Sequence, residues 1–142
     1  MLVVSNIIGR FMATISVACG VVFKEQRVFV CRRKRNKSLG GFWEFPGGKL
    51  ESGESVEACL KRELREELEM EVEIIRHLVT VDHQYEHASV RLFAHACRLI
   101  SYDGYLSDHD CYDWVCVTDL PLLNLAPADV PIAKVLADSN FA

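Results

Sequence analysis

A chain of 142 residues, half of them hydrophobic and a quarter charged, is one domain's worth of sequence with enough apolar material for a proper core. No uncharged apolar run reaches the 18 residues needed to cross a bilayer, and a net charge of -4 leaves a compact soluble protein as the expectation, with neither a membrane nor a stable nucleic-acid complex as partner. The six cysteines, at 19, 31, 59, 97, 111 and 116, form no CxxC pair and no Cys/His zinc spacing; they read as free thiols packed as small hydrophobes in a reducing, cytoplasmic setting.

Residues 1–11 are apolar, but Arg10 interrupts them and no basic leader precedes them, so they read as a loosely attached extension before a single domain at 12–142. Residues 13–23, rich in Ala, Ile, Val and Cys without polar alternation, predict a central strand buried on both faces. A turn at Lys24–Gln26 leads into a second strand, Arg27–Arg33, completing a hairpin. After a polar loop come Trp43–Phe45, Pro46 and the pair Gly47-Gly48; Ser52 or Ser55 can then cap a helix that runs to about Leu68 and buries Val56, Leu60, Leu64 and Leu68. Glu71–Asp82 and Ser89–Ile100 predict two long strands, Trp114–Val117 a short one, and a last helix is expected from about Asp129 to Ala137, with Pro131 in its first turn. The five histidines, at 77, 83, 87, 95 and 109, have no metal spacing and read as strand or loop surface.

Charge is distributed unevenly. Nine of the twenty acids fall between Glu51 and Glu73, just after the basic run Arg32, Arg33, Lys34, Arg35 and Lys37. Glu63, Glu66 and Glu67 stand at helical spacings i, i+3 and i+4, so three carboxylates share one helix face. Such a face suits either a divalent cation or plain solvation. On the helical wheel, Glu63 and Glu67 lie at the margin of the buried stripe and face a cleft, while Arg62 points away from it.

The segment 48–70 resembles the Nudix box. Gly48, Glu54, Arg62, Glu63, Leu64, Glu66, Glu67 and Met70 fit eight of its nine specified positions, and Glu69 stands where the family has glycine. The resemblance implies an α/β fold, the Nudix α/β/α sandwich, with a mixed β-sheet flanked by the box helix and a C-terminal helix. It implies Mg²⁺ or Mn²⁺ held by Glu63 and Glu67, with Glu66 joining them or orienting the water, and the Gly47 carbonyl completing the site. Glycine suits 47 and 48 because the backbone there must turn sharply and approach metal and phosphates closely. Arg62 is implied to brace the catalytic loop, with Glu54 as a possible partner. Glu69, in place of the glycine that leaves the helix with positive φ, costs roughly 1 to 2 kcal/mol if the same geometry is kept.

The similarity extends to the MutT-like nucleoside triphosphate pyrophosphohydrolases through Arg32-Arg33, through GGFWEFPGGK at 40–49 and through LAPADVPIAKVL at 125–136. It implies that Arg33 contacts the phosphates, that Glu44 and Phe45 lie beside the nucleotide, that Asp129 reads the base, and that a loop acid completes the metal site. Asp108 aligns best for that acid, with Asp110 and Asp113 as competitors. An ionised Asp129 only accepts hydrogen bonds, which favours an amino group such as cytosine N4, whereas a protonated one could also serve an oxidised purine. The bland alternative for Asp129 is the cap of the last helix, a role that does not exclude base contact. The expected activity is hydrolysis of cytidine-type or oxidised nucleoside triphosphates to monophosphate and pyrophosphate, a nucleotide-pool sanitation role, by a monomer or homodimer. The alternatives are an 8-oxo-dGTP diphosphatase proper, another Nudix diphosphate hydrolase, or a non-catalytic nucleotide-sensing or protein-binding module.

Overall fold

The computed structural model describes residues 13–139; the extension expected at 1–11 lies outside them. Strand β1, Thr14–Lys24, forms a hairpin with β2, Arg27–Arg33, around a turn in which Glu25 adopts positive φ. Two very short strands follow, β3 (Trp43–Glu44) and β4 (Gly47–Lys49), then helix α1, Val56–Leu68. The long strands β5 (Glu71–Gln84) and β6 (Ser89–Ser101) come next, then β7 (His109–Cys116), two 3₁₀ turns and helix α2, Val130–Asp138. The strand expected at Trp114–Val117 is therefore longer and starts earlier, at His109.

The sheet is mixed, in the order β3-β2-β1-β6-β5, with β4 added to β1 and β7 to β2; β1 runs parallel to β6 and antiparallel to its other neighbours. Alternation along β1 and β2 sends side chains into two cores. Val21, Val28 and Val30 pack with Ile132, Ala133 and Leu136 of α2, while Ala18, Val22, Phe29 and Cys31 pack with Cys59, Leu60, Leu64 and Leu68 of α1. Burial on both faces explains why β1 lacks polar alternation.

β1 and β2 share only the pairs Phe23↔Val28 and Lys24↔Arg27. Beyond them the strands part: β1 pairs with β4 over Val17–Cys19, and β2 pairs with β3 and β7. The opening between them is the cleft described below.

Ser55, not Ser52, caps α1, its hydroxyl accepting from the Ala58 N–H. At the other end Glu69 takes the left-handed conformation (φ 51°, ψ 39°). Its N–H reaches the Arg65 carbonyl, the 5→1 bond of an αL cap, and Met70 N–H reaches the Leu64 carbonyl. The family's exit geometry is thus kept without its glycine, at a strain of roughly 1 kcal/mol. Replacing Glu69 by Gly is expected to raise the melting temperature by about 2 to 5 °C without changing turnover, as read by calorimetry alongside an activity assay.

Candidate active site

Glu63 and Glu67 face inward from α1, as the wheel reading expects. The Glu63 side chain is 14% exposed, whereas that of Glu66 is 60% exposed and is drawn to Arg62 at 3.2 Å. Arg62 does not point away. Its Nε and Nη2 donate to the two oxygens of Glu54 (2.7 and 2.9 Å), Nη1 to Glu63 (2.9 Å), and Nη2 also to the Lys49 carbonyl (3.2 Å). The guanidinium thus ties the loop before α1 to the carboxylate face of the helix, and holds the Glu54 carboxyl down to about 2. A wheel locates Cβ atoms, and the reach of an arginine carries its head well past that position.

Glu67 is the most perturbed member. Burial, followed by the nearby carboxylates of Glu63, Asp108 and Glu44, pushes its carboxyl up to about 8. Its Oε2 is buried with no hydrogen-bond partner among the described residues. A desolvated oxygen in the field of three acids favours an added positive charge beside it. Glu63, Glu67 and Asp108, with Glu66 alongside, offer only oxygen donors, the chemistry that suits a hard divalent cation such as Mg²⁺ or Mn²⁺. Their donor atoms do not, however, gather within 4.8 Å of one another as those of Cys31, Glu44 and His109 do. Of the three loop acids, Asp108 is the one whose charge acts on Glu67; Asp110 is engaged by Arg32 at 2.8 Å and Asp113 by the Trp114 N–H. Lys37 approaches Asp108 at 3.5 Å.

Gly47 and Gly48 serve for a reason other than a sharp turn. They lie in β4, paired with β1, and neither has positive φ. A Cβ at 47 would collide with the Ala18 carbonyl, and one at 48 would fall on the Glu63 carboxylate. The two glycines let a strand and an acid approach at backbone distance.

Gly47 and Gly48 also line a cleft of about 730 Å³, together with Arg33, Glu44, Phe45, Tyr85 and Asp129. Arg33 is held by the Ser38 carbonyl (2.7 Å) and faces Glu44 at 3.4 Å. Phe45 is core, but its backbone N–H donates to Asp129 Oδ2 at 2.8 Å. Asp129 occupies the cap position of α2 yet makes no capping hydrogen bond; its carboxyl turns into the cleft instead. Burial and the charge of Glu44 push that carboxyl well above the usual range. Trp43 packs beside the core with Arg32 over its ring.

Two of the histidines are not surface residues. His95 is buried against Glu57, and His109 is fully buried with Nε2 2.8 Å from Glu44 Oε2. Cys31, Glu44 and His109 place donor atoms within 4.8 Å of one another, but the Arg33 guanidinium already answers the carboxylate there. Neither His109 nor Tyr85, whose hydroxyl accepts from the Ala128 N–H across the cleft, is identifiable from sequence spacing. All six cysteines are free, as expected.

An acidic helix braced by an arginine, beside a cleft that opens where the sheet divides, defines a hydrolase of the Nudix type, and sequence comparison agrees. Residues 18–135 match the NUDIX domain family, and the chain belongs to it. It is similar to the CTP pyrophosphohydrolase of Escherichia coli K12 (31% identical, covering 87% of this chain and 91% of that one) and to the 8-oxo-dGTP diphosphatase of Proteus vulgaris (43% identical over 77 residues, covering 54% and 69%). The solution structure of a MutT protein from methicillin-resistant Staphylococcus aureus 252 superposes with a TM-score of 0.72 at 32% identity, covering 89% of this chain and 98% of that one.

Proposed function

We propose that this chain, as a single domain, hydrolyses nucleoside triphosphates of the cytidine type to the monophosphate and pyrophosphate, with Mg²⁺ or Mn²⁺ as cofactor. The observation that carries the reading is the buried oxygen of Glu67, without a hydrogen-bond partner among the described residues and in the field of several acids, one of which, Glu44, lines a nucleotide-sized cleft. Glu63, Glu66, Glu67, Asp108 and the Gly47 carbonyl would hold the cation, which neutralises phosphate charge and makes a bound water nucleophilic. Arg62 keeps Glu63 and the loop at Glu54 in register, so the acids meet the substrate preassembled. Arg33 offers a planar guanidinium to the phosphates, Gly48 allows their close approach, and Phe45 and Glu44 flank the nucleotide. Asp129 reads the base. The resemblance of LAPAD at 125–129 to the CTP pyrophosphohydrolases, together with the similarity along most of the chain to one of them, supports the cytidine reading.

The second reading is 8-oxo-dGTP hydrolysis. It is favoured by the raised Asp129 carboxyl, which can donate as well as accept when protonated. Either activity fits nucleotide-pool sanitation. The six free thiols suit a reducing, cytoplasmic compartment, and no helix among the described residues is long and apolar enough to cross a membrane.

No serine or cysteine in the cleft has a base poised to activate it, so the reaction is a single displacement by water without a phosphoenzyme. Incubation with Mg²⁺ and a panel of triphosphates in ¹⁸O-water is expected to yield monophosphate and pyrophosphate in equal amounts, and no turnover in EDTA. Orthophosphate with a nucleoside diphosphate as the partner product would refute the reading, as would full activity in EDTA.

A further inference from the structure

Pairing of β2 with β7 slips by one residue between Arg32 and Arg33, so that Asp110 is skipped and His109 lies opposite Arg33. Cys31, two residues before Arg33, lies opposite Glu44. His109, Arg33, Glu44 and Cys31 therefore share one face. On it, Glu44 Oε2 is approached from two sides, by His109 Nε2 at 2.8 Å and Arg33 Nη1 at 3.4 Å. A carboxylate only accepts, so the hydrogen of the ring lies on Nε2. Nδ1 is buried with no partner among the described residues, and a bare lone pair is tolerated there better than an orphaned N–H. The polar capacity of this fully buried ring is thus directed at one carboxylate. That carboxylate occupies a junction: it lines the cleft, and its charge acts both on Glu67 at the acidic helix and on Asp129 and Tyr85 at the far wall.

We propose that His109 is a positioning residue for the nucleotide. By holding Oε2 it fixes the orientation of the Glu44 carboxylate at the cleft wall and competes with Arg33 for that oxygen. Without the imidazole N–H, Arg33 is the remaining partner of Oε2; the pair contracts, and both groups withdraw from the substrate. The proposal rests on the triphosphate reading above and extends it to a residue outside the Nudix box.

The test compares His109→Gln, whose amide nitrogen can occupy the place of Nε2, with His109→Asn, whose amide is too short to reach Glu44. His109→Asn is expected to raise KM for Mg-CTP about tenfold with kcat within about threefold of the parent, and His109→Gln to restore KM to within about threefold. In a Glu44→Gln background, His109→Asn should add less than about twofold, since the partner it serves is already altered. Equal KM for the two variants, an unchanged KM in His109→Asn, or multiplying effects in the double variant would overturn the proposal. A long-range ¹H–¹⁵N spectrum of the ring reads it without turnover: the Nε2–H tautomer is expected in the parent, giving way to a mixture in Glu44→Gln. A parent that hydrolyses no triphosphate removes the reading above, whereas an Nδ1–H tautomer removes the role of His109.

Discussion

Glu67→Gln is expected to lower turnover by at least about a hundredfold while making the metal-free protein harder to melt at alkaline pH. The two effects share one cause. In the fold the Glu67 carboxyl is pushed up to about 8 by burial and by its acidic neighbours, against about 4.3 for an unperturbed glutamate. Folding thus favours the protonated form, so the stability this group contributes is complete below its unfolded value and is lost as pH climbs toward 8. Glutamine carries no proton to lose. In EDTA the variant should match the parent near pH 4 and melt above it at pH 8 to 9, and Mg²⁺ should raise the parent's melting temperature more than the variant's. Glu63→Gln should lose activity to a similar degree, since it too removes a charged oxygen without changing volume. Calorimetry with and without Mg²⁺, together with steady-state kinetics, checks both; turnover within threefold of the parent for both variants would sink the metal assignment.

The second large effect concerns the base. If Asp129 accepts from an exocyclic amino group, cytidine-type triphosphates, 5-substituted ones included, should exceed uridine and thymidine triphosphates in kcat/KM by on the order of ten to a hundredfold, because a carbonyl there leaves buried acceptors unpaired at roughly 1 to 3 kcal/mol. The raised carboxyl adds a pH signature. At low pH Asp129 holds its proton and can donate to a carbonyl, so discrimination narrows; as pH rises and the proton leaves, the acid only accepts and discrimination widens. Asp129→Asn should flatten that dependence and shift the enzyme toward 8-oxo-dGTP, because an amide always keeps a donor. Equal kcat/KM for CTP and UTP across pH, or an unchanged profile in Asp129→Asn, would leave Asp129 the structural task of tethering the Phe45 backbone.

Much of this molecule can be read from its residues. The apolar run of β1, the Leu60, Leu64 and Leu68 stripe of α1, and the spacing of Glu63 and Glu67 are local patterns, and local patterns survive folding. What sequence does not reveal depends on pairing between distant residues. β3 and β4 are two and three residues long, too short to carry a period. β7 is longer than its apolar end suggests because its first half, His109–Asp113, is mostly polar and is held by β2. The bulge at Asp110 is decisive for His109, since a one-residue slip reverses which face a side chain takes, and no reading of the segment 107–114 alone contains that slip. Tyr85 enters the cleft for a similar reason, through its tie to Ala128, 43 residues away.

The narrow join between β1 and β2 bears on how the protein responds to an occupant. One side of the cleft carries Arg33 and Glu44 on β2 and β3, with His109 of β7 buried behind them; the other carries Gly47 and Gly48 on β4, laid against β1 and the acidic face of α1. At the hairpin itself these sub-sheets are stitched by the two pairs nearest the turn, Phe23↔Val28 and Lys24↔Arg27. A ligand that touches both banks acts as a cross-brace over the seam, so its binding energy appears as rigidity where the backbone ladder supplies least. On the proposed function, a substrate cut in two would leave each piece on one bank only, so cleavage would itself loosen the cleft.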